Sequence, residues 1–350
     1  MNDDTTNDRP QDPQITGSDY LWDGSGTPDE EIVRLETLLV RYRHQPALPP
    51  LPARTIGSRR LALHAAMQFA VAAASLVLVA AAGWFAFAAR ESGWTVQSLA
   101  GSPSVAGVRI NVPSRLPIGE VVTTDAQSRA RIDVSTIGFV DVEPNSRIRL
   151  IASRAGEHRM ALDRGEIRAR IWAPPRLFFV NTPSSTAIDL GCAYTLHVDD
   201  RGWGKILVES GWVAFEHNRR ESFIPQNAVC ATRPGAGPGT PFYNDAPEGF
   251  EEALTILDFS PTQDVSRAQA LELVLSHART KDAFTLWHLL SRGTRDERAK
   301  VYDRLASLVP PPREVTREGI LSGDRRARDA WWNALGLDSA SWWRIWKRKW

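Results

Sequence analysis

The stretch GEIRARIW, residues 165–172, shows the pattern that dominates the middle of this 350-residue chain. Ile167, Ala169 and Ile171 alternate with arginines. Because successive side chains of a strand point to opposite faces, this pattern predicts a strand with one buried side. The same alternation recurs in SRARIDVST (128–136), AYTLHVD (193–199) and GKILVESGWVAFEH (204–217). Turn-forming residues separate these runs, so the sequence predicts an all-β antiparallel domain over 91–235, built as a sandwich, a jelly roll or stacked sheets.

Four segments of this β region occur in an order that resembles a known family. They are VEPNSRIRL (142–150), MALDRGEIRARI (160–171), FFVNTPSSTAIDLGCAYTLHVD (178–199) and KILVESGWVAF (205–215). Their order resembles the periplasmic domain of FecR-type proteins. The positions that match the family pattern are Leu162, Gly165, Glu166, Thr182, Pro183, Leu190, Gly191, Tyr194, Val198, Val208, Gly211 and Val213.

FecR-type proteins are transmembrane regulators of extracytoplasmic-function sigma factors. In that family a cytoplasmic piece binds the sigma factor, and the outer domain receives a signal from the envelope. The resemblance therefore implies an anti-sigma regulator with a sigma factor as its cytoplasmic partner and an unknown protein or polymer as its periplasmic partner. The C-terminal part is not the one usual for members that serve iron uptake, so an outer-membrane transporter is not implied as a partner.

A long apolar run, VAAASLVLVAAAGWFAFAAR (71–90), precedes the β region. No charged side chain occurs between Leu61 and Ala89, and a helix over 69–89 would be roughly 31 Å long, close to the ~30 Å hydrocarbon thickness of a bilayer. The run predicts a transmembrane helix over 61–90 with its core at 69–89. Arginines cluster on its N-terminal side, which predicts a cytoplasmic N-terminus. The expected location is a single-pass protein of the bacterial inner membrane, with the C-terminal bulk in the periplasm.

The residues before the apolar run divide into a polar tail at 1–16, expected to be disordered, and a helical segment with a Pro-rich linker at 17–60. Thr27 is the expected N-cap of a helix, with Pro28 in its first turn and Glu30 completing a capping box. The segment fits either a flexible tail or a docking element whose apolar face lies in a groove of a partner. The residues expected on the sigma-factor docking face are Tyr20, Leu21, Trp22, Ile32, Leu35 and Leu39.

The chain has two cysteines, Cys192 and Cys230, both in the predicted β domain. Alternation places Cys192 on the same face as Tyr194 and Leu196, which predicts that it is buried. In an oxidising compartment the two cysteines could form a disulfide. The alternative is two separate buried thiols. A nucleophilic pair of Cys192 with His197 is the least favoured hypothesis, because FecR-type proteins have no known catalytic thiol at this position.

After a linker at 236–247, helical periodicity predicts an α-helical C-terminal domain over 248–350. Expected helices are 249–259, 265–280, 282–291, 294–308 with an N-cap at Thr294, 316–335 and 341–350. The last of these contains SWWRIWKRKW, which combines four tryptophans with four basic residues. Three roles remain open for this helix: packing on its own bundle, contact with a partner or wall polymer, and contact with a membrane surface. The tryptophans concerned are Trp342, Trp343, Trp346 and Trp350.

Composition and motifs exclude several classes of function. With 42 basic and 41 acidic residues the chain carries a formal charge of +1, which does not favour direct binding of nucleic acid. No phosphate-binding, dinucleotide-binding, zinc-protease or nucleophile-elbow motif is present, so no catalytic residue, metal or cofactor is expected. Together with these exclusions, the resemblance to FecR-type proteins implies a sigma-factor regulator that is not an enzyme. The alternative is a structural or polysaccharide-binding protein of the envelope.

Overall fold

The computed structural model describes residues 20, 24, 26–43, 74–81 and 93–337. The chain divides into two compact units, Met1–Leu76 and Val77–Trp350. The expected disordered tail at 1–16, the Pro-rich linker and the four tryptophans of the C-terminal helix all lie outside the described residues.

In the first unit the main element is helix α1, Glu30–Leu39, followed by a short 3-10 turn over Val40–Tyr42. The helix begins two residues later than Thr27 and Pro28 predicted. Asp29 is the N-cap, and its side chain accepts a hydrogen bond from the Glu31 N–H at 3.3 Å. A carboxylate at this position also interacts favourably with the positive end of the helix dipole.

The expected transmembrane helix over 61–90 is not found, and this part of the predicted fold class is wrong. In the described part of the chain, none of the helices combines the length and the apolar character needed to cross a bilayer. Within the apolar run, helix is described at 74–81. Eight helical residues extend about 12 Å, less than half of the ~30 Å hydrocarbon layer. The rest of the run lies outside the described residues.

The second unit contains eighteen described strands between Gly93 and Tyr243. They are β1 Gly93–Ala100, β2 Ser104–Val105, β3 Val108–Arg109, β4 Ser114–Pro117, β5 Val121–Thr123, β6 Arg129–Val134, β7 Gly138–Val142, β8 Arg147–Arg154, β9 Glu157–Ile171, β10 Phe178–Asn181, β11 Thr186–Asp189, β12 Ala193–Val198, β13 Gly204–Ser210, β14 Trp212–His217, β15 Arg220–Pro225, β16 Ala228–Arg233, β17 Gly237–Pro238 and β18 Phe242–Tyr243. The last two lie in the segment expected as a linker.

Strand β9 joins two ladders of strands into one connected sheet. Its first half pairs with β8 and β10, and its second half pairs with β7 and β12. The two halves meet at Gly165, whose φ is +95°. A Cβ at this position would collide with the backbone and side chain of Ser146. Glycine is therefore required where the strand passes from one ladder to the other.

This connection corrects the expected sandwich or stacked antiparallel sheets, because one strand belongs to both ladders. Alternation along one strand does not show that its two halves belong to different ladders. Nor does it give strand direction: β10 runs parallel to β9, with Phe178 opposite His158, whereas the other described pairings are antiparallel. The inward-facing residues are as predicted, since Ala130, Ile132 and Val134 are completely buried.

Helices follow the strands, as predicted. They are α2 Phe250–Phe259, α3 Ser266–His277, α4 Ala283–Leu289, α5 Arg295–Leu308, α6 Arg317–Ser322 and α7 Arg325–Ala334. Thr294 caps α5 in a capping box with Glu297, which confirms the cap expected there. The single helix expected over 316–335 is two helices, because Gly323 adopts a left-handed conformation and Asp324 caps a new helix.

Strands and helices of this unit share one hydrophobic core. Trp332 of α7 packs edge-on against Phe223 of β15 and Trp287 of α4, with ring centroids 5.5 and 4.6 Å apart. His288 accepts a hydrogen bond from the Phe223 N–H at 3.0 Å. This bond satisfies a backbone donor on the outer edge of β15. Helix α4 therefore covers a strand edge that could otherwise pair with a strand of another chain.

Candidate functional site

Helix α1 carries the residues that the sequence assigns to a docking face. Ile32, Leu35 and Leu39 lie on one stripe of the helix, since their spacing of three and four residues keeps side chains on the same side. None of the helix's residues is buried. Leu35 is 53% exposed and Leu39 58% exposed, whereas Ile32 is half-buried. An apolar stripe is therefore open to a partner.

Tyr20 is the other predicted docking residue that the structure describes. Its hydroxyl donates to Glu36 Oε2 over 3.5 Å, and its carbonyl accepts from the Gly24 N–H at 3.1 Å. The first contact places Tyr20 beside α1, as a docking face formed by both would require. Leu21 and Trp22 lie outside the described residues.

A second candidate site, which the sequence did not indicate, is a cleft of about 1370 Å³ in the other unit. It lies between strands β10, β11, β14 and β15 on one side and helices α4 and α7 on the other. Three carboxylates line it: Glu216, Glu221 and Asp329. Its eight arginines are Arg159, Arg176, Arg219, Arg220, Arg292, Arg325, Arg326 and Arg328. We call it the arginine cleft.

Buried ion pairs fix the deepest arginines of this cleft. Asp258 of α2 accepts hydrogen bonds from Arg220 at 2.7 Å and from Arg292 at 2.9 Å. Its side chain is 2% exposed, and it also accepts from the Thr240 N–H and hydroxyl. Burial and the nearby Arg292 charge lower the pKa of Arg220 to about 10, so Arg220 is still charged at neutral pH. Both guanidinium groups are held as structural cations.

The cysteines are two free, buried thiols, the second of the alternatives that the sequence left open. The strand register explains why they do not pair. Cys230 lies opposite Ile206, which lies opposite Leu196, and Cys192 is four residues from Leu196 along the chain. Two strand spacings and four residues separate the two by roughly 16 Å, far beyond disulfide reach. Burial raises the pKa of the Cys230 thiol to about 12, which argues against a reactive thiolate.

Cys192 belongs to a buried polar cluster with Asp189. Its thiol donates to Asp189 Oδ2 at 2.7 Å, and the Gly191 N–H donates to Asp189 Oδ1 at 2.7 Å. Burial raises the pKa of Asp189 to about 7 and raises the pKa of Cys192 as well. Neither residue lines the arginine cleft. His197, the other member of the least favoured pair, is exposed and lies near Glu166.

The described residues contain no group of three or more histidine, cysteine, aspartate or glutamate side chains arranged to hold a metal ion. Neither the docking face nor the arginine cleft therefore offers a metal site within the part of the chain that the structure describes.

Comparisons with known proteins add little to this geometry. No protein-family model matches the sequence, and no curated protein matches it. Similar solved structures include two crystal structures, at 1.65 and 2.50 Å resolution, of "a putative anti-sigma factor" from Parabacteroides distasonis ATCC 8503. Each is 12% identical, with a TM-score of 0.30, over 33% of this chain and 56% of that one. The chain thus spans about half of that protein's length, and the likeness establishes no function.

Proposed function

We propose that this chain is a regulator that binds a sigma factor through the apolar face of α1. The observation that carries the proposal is the exposure of that face: Leu35 and Leu39 are more than half exposed on a helix without a buried residue. A ten-residue helix is shorter than the ~12–15 residues that isolated helices need for stability in water. A partner groove that covers the apolar stripe would stabilise it.

The partner is a sigma factor because the sequence resembles FecR-type regulators and places its anti-sigma segment at this helix. The mechanism would be sequestration. The helix face covers the sigma-factor surface that contacts RNA polymerase, and the bound sigma factor is withheld from transcription. The chain would act by binding and not by catalysis.

The test replaces Leu35 and Leu39 with aspartate in the full-length chain. Each substitution places a charge in the centre of the apolar stripe, and burying an unpaired carboxylate costs several kcal/mol. We expect the tagged wild-type protein to capture a sigma factor from extract of its own organism. The Leu35→Asp/Leu39→Asp variant should lose that sigma factor, and transcription from its promoters should rise.

The matched control changes the opposite face of α1. Arg34→Ala with Thr37→Asp alters the net charge by the same amount, and both residues are exposed. This control should keep the sigma factor. Capture by the Leu35→Asp/Leu39→Asp variant at wild-type level, or loss in both variants, would contradict the docking face.

A further inference from the structure

The arginine cleft has far more positive than negative charge, with eight arginines against three carboxylates. Part of this charge is balanced internally. Arg176 pairs with Glu216 at 3.4 Å, and Arg220 and Arg292 share Asp258. Arg159 pairs with Glu157 at 2.6 Å. The surplus therefore resides mainly on arginines at the rim of the cleft.

Three rim arginines carry this surplus: Arg219 in the turn between β14 and β15, and Arg325 and Arg326 in the first turn of α7. All three side chains are exposed. Within the part of the chain that the structure describes, none of the three forms an ion pair. Their charges are available to a ligand.

Each rim arginine also occupies a position that local energetics disfavour. Arg219 has a φ of +70°, a conformation that glycine or asparagine adopts at lower cost. Arg325 and Arg326 are the first two residues of α7, where the helix dipole favours anions and repels cations. A chain selected for stability alone would place other residues there. Residues that break such local rules are candidates for a functional role.

We propose that the arginine cleft binds an acidic peptide segment of a partner protein, with the three rim arginines as its main contacts. Guanidinium groups form bidentate hydrogen bonds with carboxylates, which suits aspartate and glutamate side chains. A volume of about 1370 Å³ exceeds the ~300–1,000 Å³ of typical small-molecule sites, so it accommodates a chain of residues.

Among the described residues that line the cleft, the tryptophan and phenylalanine side chains offer no open face for a base or a sugar ring. Trp287 and Phe223 are each 3% exposed, and the guanidinium of Arg159 covers Phe179 at 4.2 Å. Single-stranded nucleic acid is usually held by stacking on such faces. The cleft's own carboxylates also interrupt its positive surface and repel negative charge. A peptide with carboxylates at intervals fits such a surface better than a uniformly charged polymer does. This proposal concerns Val77–Trp350 and does not depend on the docking face of α1.

The test measures binding of a fluorescein-labelled peptide of about twelve residues, alternating glutamate and serine, roughly 40 Å long when extended. Fluorescence anisotropy with the full-length chain should show binding that weakens from about 50 to 300 mM salt, because the contacts are exposed charges. The same peptide with glutamine in place of glutamate should not bind.

The cleft variant combines Arg219→Asn, Arg325→Glu and Arg326→Glu. Each replacement suits its local conformation, so the melting temperature should be unchanged or higher, while affinity for the acidic peptide falls at least about ten-fold. The control variant combines Arg115→Asn, Arg109→Glu and Arg313→Glu. These exposed arginines lie outside the cleft, and the net charge changes equally. Affinity of this control should change less than about two-fold.

Three kinds of result would overturn the proposal. One is equal affinity of the cleft variant and the wild type, or an equal loss in both variants. Another concerns the ligand class: tighter binding of heparin, polyphosphate or oligothymidylate than of the peptide, lost in the cleft variant, would replace an acidic peptide with a uniform polyanion. Absence of any peptide binding at low salt would also reject it.

Discussion

At the scale of single residues, Asp189 is the most unusual group in the described part of the chain. The residue is 1% exposed, and its hydrogen-bond donors are the Cys192 thiol and backbone N–H groups, none of them charged. Burial raises its pKa from the ordinary 3.8 to about 7. The folded protein therefore binds a proton at this site over a pH range in which the unfolded chain has lost it.

This difference predicts how stability depends on pH. Below the unfolded pKa of 3.8 the carboxyl is neutral in both states, and its burial is least costly. As pH rises toward 7, the folded protein is destabilised by about 1.4 kcal/mol per pH unit through this group. Asp189→Asn removes the titration, so the variant should gain stability relative to the wild type between pH 5 and pH 7. Urea unfolding at several pH values measures the gain.

The exposed Asp200 supplies the control for this measurement. Its side chain is 86% exposed, and Asp200→Asn should leave the wild-type dependence on pH almost unchanged. The prediction fails if the free energy of unfolding depends on pH in the same way for Asp189→Asn and for the wild type. Asp189 would then have the same pKa in the folded and the unfolded state. The sequence gives no sign of this site, because alternation marks Asp189 only as one residue of a short strand.

At the scale of elements, the long strand β9 decides how the β domain is assembled. Gly165 allows it to serve two ladders, because its left-handed φ and the close approach of Ser146 exclude a side chain. Gly165→Ala should destabilise the protein by about 3 kcal/mol or more, as backbone strain and a steric collision add. Chemical denaturation measures the change.

Gly156, in the turn just before β9, is the matched glycine. A Cβ there would meet no atom within 4 Å, and its φ is not left-handed. Gly156→Ala should therefore change stability by less than about 1 kcal/mol. Similar losses at both positions would mean that Gly165 is not required at the junction of the ladders.

Elements also show what the sequence could and could not predict. Alternation identified the buried faces of β6 and the second half of β9, because burial on one side of a strand leaves a direct pattern in the sequence. The cap at Thr294 was predictable for the same local reason. The parallel pairing of β9 with β10 was not, since strand direction depends on contacts between distant residues. The helix break at Gly323 was not predictable either, because the left-handed conformation of this residue leaves no trace in the apolar periodicity.

At the scale of the whole molecule, the arginine cleft was beyond sequence analysis because its parts are distant in the chain. Arg159, Arg219 and Arg325 are spread over more than 160 positions, and the short basic runs that contain Arg219 and Arg325 do not show by themselves that they meet in one cleft. The docking face of α1 is the opposite case. Its residues lie within one helical stripe, so periodicity alone could propose it.

Strands and helices of the second unit are joined by the ion pairs of Asp258. This residue is on α2, Arg220 is on β15, and Arg292 follows α4, so one carboxylate connects three elements. Asp258→Asn keeps the shape of the side chain but leaves two largely buried guanidinium groups without their counter-charge. Breaking a buried pair in this way costs about 3–5 kcal/mol. The midpoint of urea unfolding should fall accordingly.

Because the strands and helices share one core, the loss should appear in both at once. Far-ultraviolet circular dichroism and tryptophan fluorescence should report the same lowered midpoint for Asp258→Asn. The exposed pair of Asp303 with Arg317, at 3.0 Å, supplies the comparison, and Asp303→Asn should cost less than about 1 kcal/mol. Separate transitions for helices and strands in the Asp258→Asn variant, or a loss no greater than that of Asp303→Asn, would show that Asp258 does not hold the unit together.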